Sequence, residues 1–496
     1  MSTRPSASWW RDAVVYQIYP RSFQDSDGDG EGDLRGITNR LGHVADLGAD
    51  AIWLSPFYPS PMADGGYDVA GYTDVDPRFG TLDDADLLIA AAHEHGLKVL
   101  LDVVPCHTSI EHPWFREHPE RYVWSDRDGP QNNWLASFGG RSWSRDDLSG
   151  RWYLHSFYPE QPDLNWRQED VPEAIAEVLR FWMARGADGF RLDAIDRVMK
   201  DAELRDDPPA NGPQALPEHG ECATLDMVNS RNAPDIGEAL AALRAGAGED
   251  ALLVGEVYLP AAQLAPYLEQ LDVAFAFELL HAPWDAAACR SAIEAALDPA
   301  GAAGRVAWVL SNHDFPRLPD RVGRENLRAA ALVALTLPGM VFVYQGDEIG
   351  MADGPGREPP DDRAGRDRHR HPMRWRDDAP HGAFSDAEPW LPAIEVQGGA
   401  VATQAEDHDS VLALYRDLIA LRRGLGEGLE FVDASDGVLA YRRGDEQLVA
   451  VNFSGEPRLA PLAGEVLRAT HAARHPAGAV APRELGPGEG FLARAA

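Results

Sequence analysis

Lysine is almost missing from this chain: Lys98 and Lys200 are the only two in 496 residues. Asp and Glu together number 80 against 45 Lys and Arg, a net charge of -35. That balance excludes a basic surface for nucleic acid or an anionic membrane. Cysteine is scarce too. Cys106, Cys222 and Cys289 are odd in number, far apart and without zinc-ligand spacing, so free thiols are expected rather than a disulfide framework. No segment approaches the roughly 18 uncharged apolar residues of a membrane span, and Met1 to Trp10 has no apolar run long enough for a signal peptide. A soluble cytoplasmic protein follows. None of these features fixes an oligomeric state.

Short apolar stretches are plentiful. Ala13 to Pro20, Ala51 to Pro56, Lys98 to Pro105, Gly189 to Ala194, Leu252 to Val257, Val273 to Leu279, Val306 to Asp314 and Met340 to Ile349 read as strands. Helical periodicity separates them. Before the fourth, Ile175, Val178, Leu179, Trp182 and Met183 fall on one helix face and Gly186 ends it. Strands alternating with helices predict an α/β fold, a closed parallel (β/α)8 barrel of the TIM type. The alternation breaks after His107. About sixty residues rich in aromatics, among them Trp114, Phe115, Trp134, Phe138, Trp143 and Phe157, lack long helical periodicity and read as an inserted domain. From about Glu427 short strands with Gly, Asp and Pro turns predict a small all-β domain. The predicted division is 1–103 and 169–426 for the barrel, with an excursion at 201–234, 104–168 for the insert and 427–496 for the β domain.

The fourth strand carries Arg191 and Asp193 on one face. An Arg two residues away can hold a carboxylate ionised, as a nucleophile requires. A buried ion pair uses the same two residues, so the stretch alone leaves both readings open. Other strand ends carry Asp102 with His107, Glu256, and His313 with Asp314. In a barrel these ends share one mouth. Clustered acids there disfavour ionisation, which stability alone would avoid, and they suit the acid/base and nucleophilic steps of glycoside hydrolysis.

After the first strand, Asp25, Asp27, Asp29 and Asp33 occupy positions one, three, five and nine of a calcium loop, Gly30 occupies the sixth, and Glu31 can offer its carbonyl. The closing Glu is absent because Gly36 stands at position twelve. The two readings are a structural Ca2+ or Mg2+ and an acidic turn that binds nothing.

Together these segments resemble the α-amylase family of glycoside hydrolases and transglycosylases (glycoside hydrolase family thirteen), most closely its α-glucosidase and oligo-1,6-glucosidase branch. The matching stretches are Asp102 to Ser109, Gln161 to Trp166, Gly189 to Ala194, Gly255 to Tyr258, Ser311 to Arg317, Gly346 to Gly350 and the Asp-rich loop, in family order along the chain. The resemblance implies Asp193 as nucleophile, Glu256 as general acid/base and Asp314 as transition-state stabiliser. It assigns Tyr67, Asp68, His107, Arg191 and His313 to the non-reducing-end glucose, with Arg370 reaching the same sugar and Phe157 stacking on it. Cys106 departs from the family's Asn before the histidine, so a different metal arrangement is expected, supplied by the Asp-rich loop. Ala194 after the nucleophile favours α-1,4 linkages. The implied activity is a retaining α-glucosidase acting on short α-glucosides of the maltose or sucrose kind, with transfer to hydroxyl acceptors as a second outlet and no cofactor for the chemistry. The rival readings are a sister activity (sucrose or maltose isomerase, trehalose synthase or glucosyltransferase) and, more distantly, a non-catalytic scaffold.

Overall fold

In a computed structural model, residues 9–212, 216, 220–298, 304–357 and 361–495 are described. Most of the N-terminal stretch considered above as a leader, and 213–215 and 217–219 of the excursion, lie outside them. Among the described residues no helix is long and apolar enough to cross a membrane.

The first ten strands in chain order are β1 (Val14–Ile18), β2 (Ala51–Leu54), β3 (Lys98–Val103), β4 (Trp143–Arg145), β5 (Trp152–Leu154), β6 (Gly189–Leu192), β7 (Leu252–Gly255), β8 (Val273–Ala276), β9 (Val306–Val309) and β10 (Met340–Tyr344). Eight of them close a parallel barrel in the order β1-β10-β9-β8-β7-β6-β3-β2. Their runs of Val, Ile, Leu and aromatic residues are buried on both faces, as strands between a packed interior and a ring of helices must be. The helix Val171–Ala184 shows the outer ring's logic. It buries Ile175, Val178, Leu179 and Trp182, and Gly186 at φ 104° lets the chain turn into β6. Gly189 is required where β6 meets β7, because a Cβ there would lie 2.2 Å from the Leu252 carbonyl oxygen.

Register decides which side chains meet. Asp102 on β3 pairs with Arg191 on β6, and Leu192 on β6 pairs with Gly255 on β7. Asp193 and Glu256, the first residues beyond these adjacent strand ends, therefore emerge side by side. The sequence runs overshoot the strands at this end: β6 stops at Leu192 and β9 at Val309, so Asp193 and Asp314 lie on the turns beyond.

Between β3 and β6 the insert folds around an antiparallel pair, β4 with β5. Its aromatics mostly fill its own core: Phe115 packs against Tyr122, Trp124 and Tyr153, and Trp134, Trp143 and Leu154 form a second cluster. A five-stranded antiparallel sheet built from residues 430–495 packs on the helix Leu327–Thr336, where Tyr441 Oη and Thr336 Oγ1 lie 2.6 Å apart.

At the opposite end from the acids, Arg422 of the helix Val411–Arg422 is buried and donates to the carbonyls of Asp12, Leu335, Leu337 and Gly339. Burial pushes its guanidinium down to about 10, partly offset by the Asp12 carboxylate 3.9 Å away. Arg422→Met leaves these carbonyls without donors. The expected cost is about 3 kcal/mol, read as a lower melting temperature; an unchanged melting curve would refute the role.

Candidate active site

Arg191 organises the barrel mouth. Its Nη1 lies 2.9 Å from Asp102 Oδ1 and 2.5 Å from Asp193 Oδ1, and its Nη2 lies 2.8 Å from Glu256 Oε2. Trp53 Nε1 and Tyr67 Oη donate to the other oxygen of Asp102. One cation thus serves three acids. Burial pushes the Asp102 carboxyl up to about 6, and Arg191 and Tyr67 only partly offset it. Asp193 is also pushed well above the carboxylate range, by burial first and then by Glu256 and Asp102, against the pull of Arg191. The pull of Arg191 on Asp193 expected from sequence is therefore present, but its charge is divided among three partners.

Asp314 has the opposite environment. Burial raises its carboxyl, but the guanidiniums of Arg366, Arg370 and Arg191 outweigh that and hold it below the usual range. Arg366 Nη1 donates to Asp314 Oδ1 at 2.9 Å and Arg370 Nη2 to the same oxygen at 3.3 Å. Burial pushes His313 down to about 3 and His107 to about 4, so both rings are neutral at ordinary pH. Gln17 Nε2 donates to His313 Nδ1, which leaves the proton on Nε2, 3.1 Å from Asp314 Oδ2.

These groups surround a cavity of about 590 Å3 lined by Asp193, Glu256, Asp314, Tyr67, His107 and Phe157, with Asp64, Phe138, Arg197, Tyr258, Phe315 and Arg366. The volume suits a small ligand. A larger groove of about 1030 Å3 runs past Asp27, Arg35 and Asp84 and contains none of Asp193, Glu256 or Asp314; the chemistry belongs to the smaller cavity.

Four of the sugar contacts expected from sequence do not line this cavity: Arg191 and His313 are buried behind its acids, and two others stand elsewhere. Asp68 is fully buried and accepts from Ser60 Oγ and the amides of Ala63 and Asp64, so it braces a loop. The residue that loop delivers to the cavity is Asp64, bonded to Gln161 and Arg366. Arg370 donates to the His313 carbonyl behind the cavity wall, and Arg366, bonded to Asp64, Asp314 and Asp362, faces the cavity instead. The turn Arg366–His369 decides which arginine points inward. A run containing Arg363, Arg366, Arg368 and Arg370 does not reveal that choice, although the Asp362 to Arg366 spacing was a legible pairing signal.

Two candidate cation positions differ in kind. Cys106, His107 and Asp163 lie close enough together to share an ion, but Lys200 Nζ is already 2.6 Å from Asp163 and 3.8 Å from Cys106 Sγ. Asp25, Asp27 and Asp29 each offer an oxygen within 4.8 Å of one another, a donor set that fits a hard divalent cation. Asp33 and the Glu31 carboxylate are engaged elsewhere, Asp33 capping the helix Leu34–Leu47 and Glu31 bonded to Arg21 at 2.7 Å.

The model of the α-amylase catalytic domain matches residues 17–427. A Rhizobium meliloti protein described as "Probable alpha-glucosidase" is 42% identical, the match covering 93% of each chain. The glucan 1,6-alpha-glucosidase of Streptococcus dysgalactiae is 35% identical, over 91% of this chain and 92% of that one. Among solved structures, an alpha-glucosyl transfer enzyme superposes with a TM-score of 0.91 at 36% identity, over 99% of this chain and all of that one. The trehalulose synthase of Pseudomonas mesoacidophila gives 0.87 at 32% identity, with the same coverage.

Asp68 yields a prediction of sign. Burial raises its carboxyl to about 6, above the 3.8 of an exposed Asp. The folded chain therefore holds this proton more tightly, and between those two values the contribution of Asp68 to stability falls as pH rises. Asp68→Asn removes about 3 kcal/mol of that dependence, measured as a smaller loss of melting temperature between pH 4 and pH 6 than in the wild type. Parallel curves would rule out a raised carboxyl.

Proposed function

We propose that this chain, which belongs to the α-amylase family, is a retaining α-glucosidase that removes the non-reducing-end glucose of short α-glucosides. The observation that carries the reading is a single buried guanidinium, Arg191, bonded to both Asp193 and Glu256 at the mouth of one cavity. Two carboxylates held within a guanidinium's width suit the retaining mechanism, which needs them about 5 to 5.5 Å apart. Asp193 attacks the anomeric carbon while Glu256 protonates the departing oxygen, giving a covalent β-glucosyl ester. Glu256 then takes a proton from water, which attacks the ester and releases glucose in the α configuration. One guanidinium balances only one of three acids, so the site retains a proton for this cycle. In the reacting state that proton sits on Glu256, leaving Asp193 ionised 2.5 Å from Arg191 Nη1.

Asp314, kept ionised by the cations around it, stabilises the positive charge that develops on the sugar ring. Tyr67, His107, Asp64 and Arg366 hold the glucose and Phe157 covers its apolar face. Ala194 favours α-1,4 substrates by family resemblance. Transfer to a sugar or alcohol hydroxyl uses the same residues, and the likeness to an alpha-glucosyl transfer enzyme supports that outlet. Three buried free thiols are in keeping with a cytoplasmic location. A calcium or magnesium ion on Asp25, Asp27, Asp29 and the Glu31 carbonyl has a structural part, because this loop supplies no group to the cavity.

Two tests follow. With p-nitrophenyl α-glucoside, maltose, isomaltose and sucrose, chromatography identifies products and NMR the first anomer released. Asp193→Ala and Glu256→Gln each lower kcat on maltose by about 1000-fold or more with melting temperature unchanged; β-glucose as first product, or wild-type rates, would sink the assignment. For the cation, EDTA lowers the melting temperature and calcium restores it, by about 2.7 kcal/mol at a hundredfold excess over Kd. Asp27→Ala removes this response with kcat intact, and a chelator-insensitive wild type would leave the acidic turn as the correct reading.

A further inference from the structure

Aromatic rings fix the plane of His313. Tyr67 and Tyr19 lie nearly parallel to it, at 6° and 17° with centroids 5.2 and 6.1 Å away, and Trp53 meets it at 75° from 6.0 Å. Burial keeps the ring neutral, so only one of its nitrogens carries a proton. Nε2 lies 3.1 Å from Asp314 Oδ2 and has no regular hydrogen bond among the described residues. On the other side of the ring, Nδ1 lies 2.8 Å from Nε2 of Gln17, a fully buried residue of β1, and the Ser55 hydroxyl is 3.3 Å from the same amide nitrogen. Amide and ring can pair in two ways. With the amide NH2 toward the ring, Nδ1 is bare and Nε2 is protonated; with the amide oxygen there, the proton moves to Nδ1. Asp314 separates the two. Ionised despite its burial by Arg366, Arg370 and Arg191, it faces an N–H in the first arrangement and a lone pair in the second, and a lone pair repels a carboxylate.

We propose that Gln17 is a positioning residue for the transition-state stabiliser: its amide donates to His313 Nδ1, holds the ring's proton on Nε2, and so presents an N–H to Asp314 Oδ2. The proposal rests on the glycosidase reading above. Arg366 and Arg370 both donate to Oδ1, whereas Oδ2 faces His313. Gln17 therefore governs the oxygen that the two arginines leave, and with it the tilt of the carboxylate beneath the charge that develops on the sugar. It does so without lining the cavity, entirely through the tautomer of the ring between them.

Two measurements separate this role from packing. Nitrogen NMR of protein carrying labelled histidine, with His313→Ala to identify the signals, is expected to show a bare Nδ1 and a protonated Nε2 in the wild type at neutral pH. The reverse tautomer overturns the proposal. Gln17→Met keeps the length of the side chain and removes its donor; it is expected to lower kcat on maltose roughly tenfold, about what one buried hydrogen bond contributes, with KM within about twofold. In a His313→Ala background the same substitution lowers kcat no further, because residues acting through one contact are not additive. An unchanged kcat, or an equal loss in that background, overturns the proposal. If Gln17→Met does not fold, the wild-type tautomer decides. A wild type inactive on both p-nitrophenyl α-glucoside and maltose overturns the glycosidase reading and this inference with it, whereas an active one with its proton on Nδ1 overturns this inference alone.

Discussion

Arg191 is 1% exposed and ringed by Asp102, Asp193 and Glu256. A guanidinium removed from water must be paired, and its planar fork can meet several oxygens at once. The pairing is possible only because three parallel strands are in a register that brings their ends level. Slipping β6 against β3 by one residue would turn Arg191 away from Asp102. The eight-stranded closure, the small residues where β6 and β7 approach, and the helices behind them all act on the site through this one contact. The ring also carries more negative charge than the cation can balance, so the three carboxyls compete for it.

Much of the framework was legible in the sequence because buried parallel strands leave a strong mark: short apolar runs ended by Gly or Pro and spaced by amphipathic helices. Acids at the ends of such runs stand out, since packing gives no reason for them, and Asp193, Glu256 and Asp314 were found on that signal. Loop geometry leaves a weaker mark. In Ala63-Asp64-Gly65-Gly66-Tyr67-Asp68 both aspartates are candidates, and only the fold decides that Asp68 is consumed by amides while Asp64 faces the cavity. Arg366 and Arg370 differ in the same way. The surroundings of Asp193 were half legible for another reason: a two-residue spacing shows the partner Arg191 but not the competitors, which arrive from β3 and β7. Lys200 was equally hidden, ninety-four positions from the cysteine it touches.

The cavity wall depends on segments with little regular structure. Ser137, Phe138 and Gly139 line it, and the loop bearing them is tied to the 201–234 excursion. Trp134 Nε1 donates to the Arg205 carbonyl, Asn133 exchanges hydrogen bonds with the backbone of Asp207, and Cys222 Sγ donates to the Ala136 carbonyl. The bonds from Trp134, Asn133 and Cys222 run between two irregular stretches, each of which satisfies buried polar groups of the other. The excursion thus buttresses the insert's side of the cavity from behind. The side of the cavity at Ser137, Phe138 and Gly139 is held by contacts that no strand or helix pattern encodes.

The acidic surface and the cationic setting of Asp314 look contradictory for a chain of net charge -35. They act on different lengths. Surface charge is screened over about 8 Å at physiological ionic strength, and a neutral sugar gains or loses little from it on approach. Inside, where water is excluded, Arg366 and Arg370 act on Asp314 at hydrogen-bond distance, and such contacts are far stronger than in solvent. The chemistry is therefore governed by the few buried arginines. The many exposed acids keep the protein hydrated and turn away polyanions, leaving the field at the anomeric carbon almost untouched.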